Sequence, residues 1–89
     1  MKPNLFVVDS DGENINRITN YNFRSLYPSW SPVESTLLYF SRFETNNEDD
    51  EIYVIGLEGS NPKRLTNWPK HNFCPRWSRD GKRIAYVTS

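Results

Sequence analysis

The chain lies over itself at an offset of 47 residues with no gaps, so that residues 5–42 align with 52–89. LFVVDSDGENINRITN falls on IYVIGLEGSNPKRLTN, and LYPSWSPVESTLLYFS falls on FCPRWSRDGKRIAYVT. Ten positions are identical: Val7/Val54, Gly12/Gly59, Asn14/Asn61, Arg17/Arg64, Thr19/Thr66, Asn20/Asn67, Pro28/Pro75, Trp30/Trp77, Ser31/Ser78 and Tyr39/Tyr86. A period of this size belongs to stacked supersecondary units, none of which buries its faces alone.

The unit is all-β. Leu5–Val8, Leu37–Phe40, Ile52–Ile55 and Ile84–Val87 are short, β-branched or aromatic, and apolar without alternation. That pattern predicts strands covered on both faces. Asp11-Gly12, Glu58-Gly59 and Asp80-Gly81 carry hairpin-turn chemistry. Arg17-Ile18-Thr19 and Arg64-Leu65-Thr66 read as shorter strands, as do Pro28–Ser31 and Pro75–Ser78. No window keeps a helical apolar period, and prolines interrupt every longer stretch. Each repeat therefore holds four antiparallel strands: a Trp-bearing strand, two apolar strands that form the buried pair, and an Arg-x-Thr strand. A four-stranded sheet with both faces covered is the blade of a β-propeller.

PSWSP, PRWSRDGKRIAYVTS, LFVVDSDGENINRIT and IYVIGLEGSNPKRLT together resemble the WD-like β-propeller repeat of the TolB type, over nearly the whole chain. Two features depart from that pattern. Val33-Glu34-Ser35-Thr36 lacks the Asp-Gly that Asp80-Gly81 supplies in the second copy, and the acidic segment 42–51 is long. With strands lettered a to d from the Trp strand, the phase is c-d, a-b-c-d, a-b: a half blade at 4–19, a full blade at 26–66 and a half blade at 75–89, in a single unit over 1–89. Strands 75–89 then complete the half made by 4–19, giving two blades' worth per chain. A closed ring takes four to eight blades, so cyclic self-association is expected. Three copies give the six blades the TolB resemblance implies, and four give eight.

At 89 residues and 10.5 kDa the chain is one small domain with a marginal core of its own. Aromatic content of 15% argues against disorder. The lone Cys74 excludes an internal disulfide framework, and apolar runs of at most four residues are too short for a membrane-spanning helix. Charge is split. Residues 1–58 hold four bases against ten acids, a net of −6; residues 59–89 hold seven bases against Asp80, a net of +6. Such a chain suits head-to-tail self-association and is a poor generic binder of nucleic acid. With no signal-peptide apolar region after Met1, the chain as written is expected in the cytoplasm, or in the periplasm as a piece of an exported TolB-like protein.

In this strand order the d–a loops (20–25 and 67–72) and the b–c loop (42–50) emerge on one face of the ring. They supply the candidate partner-binding residues: Tyr21, Asn22, Arg24, Trp68, Lys70, His71, Asn72, Glu48, Asp49 and Asp50. Aromatic and charged side chains on loops of a rigid scaffold are recognition surface. Tyr21 and Trp68 occupy similar places in the two copies and also suit capping of the gap between blades. Arg17/Arg64 with Thr19/Thr66 read as ties from strand d to neighbouring backbone, and Cys74 as packed at the start of strand a. Asp9–Asn14 places Gly12 fourth rather than sixth in its acidic loop, which fits a hairpin better than a calcium loop. No metal, cofactor or catalytic residue is expected, since no nucleophile-elbow pattern accompanies the single His71. The expected function is a non-catalytic, ring-forming scaffold for protein–protein interaction. The rivals are a carbohydrate-binding lectin using Trp68, Tyr21, Asn22 and Asn72, or the propeller portion of a larger TolB-like protein or hydrolase.

Overall fold

The computed structural model describes residues 2–20, 24–42, 49–59, 61–67 and 71–88. Eight strands and no helix occur among them: β1 Phe6–Val7, β2 Asn16–Arg17, β3 Ser25–Trp30, β4 Thr36–Ser41, β5 Glu51–Gly56, β6 Lys63–Arg64, β7 Asn72–Trp77 and β8 Ile84–Thr88. They form three antiparallel sheets, β1-β2, β3-β4-β5-β6 and β7-β8. The fold is all-β, as the patterning requires.

The central sheet lies between the two others. On one face Leu37, Tyr39, Tyr53 and Ile55 pack with Leu5 and Ile18 from the β1-β2 side. On the other, Leu38, Phe40 and Ile52 pack with Phe73, Trp77 and Ile84 from β7-β8. Alternate residues of β4 and β5 thus point into different cores, which is why their sequences are apolar without interruption. Leu5–Val8 and Ile84–Val87 share that pattern, yet neither is fully covered. Phe6, Val8, Tyr86 and Val87 are exposed among the described residues.

The repeat is written into the backbone. Tyr27 (φ 54°) and Cys74 (φ 53°) are repeat equivalents, each at a bulge, between Leu26 and Ser29 in one copy and between Phe73 and Arg76 in the other. The bulge lets the strand continue through Pro28 or Pro75, whose missing N–H would otherwise break a ladder. Hence β3 and β7 begin three residues before the prolines at which sequence reasoning started them. The same bulge overturns the expectation for Cys74, which is exposed rather than packed.

The turns follow the expected chemistry. Gly12, Gly59 and Gly81 all have positive φ, and their N–H groups donate to Asp9, Gly56 and Ser78 carbonyls at 2.8, 2.9 and 3.0 Å. Where the first copy lacks glycine, Ser31 Oγ accepts from the Val33 and Glu34 N–H groups (3.2 and 3.0 Å). The closing bond, Ser31 N–H to Thr36 carbonyl, matches that from Ser78 to Arg83.

Thr19 and Thr66 tie the short strands down. Thr19 Oγ1 accepts from Leu5 N–H at 2.9 Å, and Thr66 Oγ1 from Ile52 N–H at 3.0 Å. Arg17 and Arg64 donate through Nε to the Thr19 and Thr66 carbonyls (2.9 and 2.6 Å). Adjacent sheets are stitched in repeat as well: Ser25 N–H donates to the Pro3 carbonyl and Asn72 N–H to the Asp50 carbonyl, at 2.9 and 2.8 Å.

Candidate functional site

The segments entering β3, leaving β4, entering β5 and entering β7 meet at one end of the stacked sheets. Stitching of β7 to β5 through Asn72 and Asp50 fixes this convergence. There the Asp50 side chain is almost fully buried, at 4% exposure, and three basic side chains surround it. Arg24 grips it with both ends of its fork: Nε donates to Oδ1 at 3.2 Å and Nη2 donates to Oδ2. Arg42 Nε stands 3.4 Å from Oδ1. His71 Nδ1 accepts from the Asp50 backbone N–H at 3.4 Å and lies 3.6 Å from Oδ2.

A buried carboxylate needs such partners, because desolvation disfavours its charge. Its hydrogen bond in turn holds the Arg24 guanidinium pKa above the ordinary arginine value. Arg24 and Arg42 both face this one carboxylate. The cluster rims an open cavity of about 420 Å³ whose apolar wall is Leu26, Tyr27, Phe40 and Phe73. Phe40 packs against both rings, tilted to Tyr27 and edge-on to Phe73, with ring centroids 5.4 and 6.3 Å apart. An apolar wall beside a buried Arg24–Asp50 pair accommodates an aromatic side chain from a partner.

Of the residues singled out from sequence, Arg24, His71 and Asp50 come together here. Asp49 is half-buried beside Asp50 in the chain. Asn72 lies inward instead: it is fully buried, and its Nδ2 donates to Glu51 Oε1 at 2.8 Å. Its amide thus belongs to the sheet interior, where Glu51 also receives Thr66 Oγ1–H and faces Arg64 at 3.3 Å. Tyr21, Asn22, Glu48, Trp68 and Lys70 lie outside the described residues. Arg42 was not singled out, although it bounds the acidic segment immediately after an apolar strand; a base at that position facing an acid before the next strand was the available signal. The Asp9–Asn14 loop is a hairpin turn, with Asp9 Oδ2 accepting from Asn14 Nδ2 and Asp11 Oδ1 from Glu13 N–H.

No protein-family model matches the chain, and no curated protein matches it significantly.

Proposed function

We propose that the protein is a non-catalytic β-propeller scaffold for protein–protein interaction, assembled as a homo-oligomeric ring with three copies favoured over four. The carrying observation is that Phe6 and Val8 on one outer sheet, and Tyr86 and Val87 on the other, stand roughly half exposed (57%, 50%, 46% and 48%). In the central sheet the matching positions are buried or packed in its cores. Two-stranded sheets with apolar faces in water are unstable alone and prone to edge pairing. Copies joined around an axis cover both faces in one closed contact. The opposite charges of the two chain segments favour that head-to-tail geometry. The cavity over Asp50, on the loop end, is the surface offered to a further protein.

Assembly that completes the core makes stability depend on chain concentration. Thermal unfolding followed by circular dichroism is expected to shift its midpoint upward by several degrees between about 1 and 100 µM chain. A midpoint independent of concentration contradicts the ring.

A further inference from the structure

Moving the first core one repeat along the chain takes Leu5, Ile18, Leu37 and Tyr39 to Ile52, Leu65, Ile84 and Tyr86. It takes Tyr53 and Ile55 to positions 100 and 102, which a second copy, 94 residues back in the repeat, fills with Phe6 and Val8. Ile52 and Ile84 do sit in the second core. Leu65 and Tyr86 are exposed at 38% and 46%, and so are Phe6 and Val8. Four exposed apolar side chains thus belong to one unfinished core.

The edges agree with the faces. Leu5 uses its N–H and carbonyl toward β2, so those of Phe6 and Val8 point to the open edge of β1. Arg83 uses its carbonyl toward β7, so those of Ile84 and Tyr86 point to the open edge of β8.

Resting on the ring reading above, we propose that β8 pairs antiparallel with β1 of a second copy of this chain in the register of β4 on β5. Thr36↔Gly56, Leu37↔Ile55, Leu38↔Val54 and Tyr39↔Tyr53 then become Arg83, Ile84, Ala85 and Tyr86 opposite the partner's Asp9, the partner's Val8, the partner's Val7 and the partner's Phe6. Tyr86 meets the partner's Phe6 as Tyr39 meets Tyr53, whose rings stack at 5.6 Å. Arg83 and Asp9, both exposed, become a cross-strand pair of opposite charge. Trp30 gains a place too. Trp77 Nε1 donates to the Ser29 carbonyl at 3.3 Å; the equivalent acceptor for the 58%-exposed Trp30 is the carbonyl of the partner's Arg76.

The register is tested by disulfide trapping in a Cys74→Ser background. Ala85→Cys combined with Val7→Cys places two thiols on one face at a non-hydrogen-bonded pair, about 4.5 Å between Cα atoms, within disulfide reach. Oxidation is expected to give a covalent ladder on non-reducing gels, whereas Ala85→Cys with Val8→Cys, on opposite faces, gives none. Because these variants alter packing, exposed charges provide a second arm. Asp9→Arg and Arg83→Asp are each expected to weaken assembly about five-fold, and the double variant to restore it. An oligomer by light scattering with no in-register ladder and no charge rescue overturns this junction but leaves the ring standing. A monomeric parent protein removes the ring reading and the junction together.

Discussion

Thr19 and Thr66 were legible as ties because each recurs two residues after an arginine, and both side chains close a strand end as that spacing suggests. What the repeat does not convey is the third partner. Thr19 Oγ1 donates to Asn4 Oδ1 at 2.9 Å, whereas Thr66 Oγ1 donates to Glu51. Asn4 and Glu51 are repeat equivalents of different charge, and only contact with Asn72 and Arg64 explains the carboxylate. Glu51→Ala strands three donors around a buried space and is expected to lower stability by about 3 kcal/mol, with Glu51→Gln losing less; chemical denaturation at fixed chain concentration measures both. Glycine offers a paired comparison. Gly12 and Gly59 both hold left-handed φ, costing alanine about 1–2 kcal/mol at either site. A Cβ at Gly12 meets open space, while one at Gly59 would lie 2.8 Å from the Ile18 carbonyl oxygen. Gly59→Ala should therefore be clearly the more damaging substitution in the same denaturation experiment.

Among the elements, β4 and β5 were the most readable, since uninterrupted apolar runs of that length fit a strand between two cores. The starts of β3 and β7 were not, because proline reads as a boundary and its accommodation by a left-handed residue has no sequence mark at Tyr27 or Cys74. The turns were readable wherever glycine stood. The turn joining β7 to β8 carries its own acid sensitivity. Ser78 Oγ–H donates to Asp80 Oδ1 at 2.6 Å and Lys82 N–H donates to it at 3.0 Å, holding the carboxyl below the usual aspartate range. A depressed folded-state pKa stabilises fully above the unfolded value, and that contribution disappears as pH falls through the folded value. The melting-point gap between wild type and Asp80→Ala is thus expected to be widest near neutrality and to close in strong acid. Between elements, Trp77→Phe should cost about 1 kcal/mol by removing the bond to Ser29, read from the same melts.

At the scale of the whole molecule, the 47-residue period carries more than composition does. It implied stacked sheets that leave faces unfinished, and the two outer sheets expose Phe6, Val8, Tyr86 and Val87, whose repeat equivalents Tyr53, Ile55, Tyr39 and Phe40 are buried in the central sheet. The loop-end cluster was half legible: Arg24, His71 and Asp50 were chosen for charge on loops, but their convergence on one buried carboxylate depends on strands β5 and β7 being stitched together. Asn72 shows the limit, since an amide at a loop's end reads the same whether it faces solvent or Glu51. Closure of the unfinished faces is the claim on which the functional proposal rests, and absolute mass in solution addresses it most directly. Multi-angle light scattering on the purified protein should give a single species of three times the 10.5 kDa chain mass, or four times if the ring is larger. A monodisperse particle of 10.5 kDa across the concentration range would contradict it.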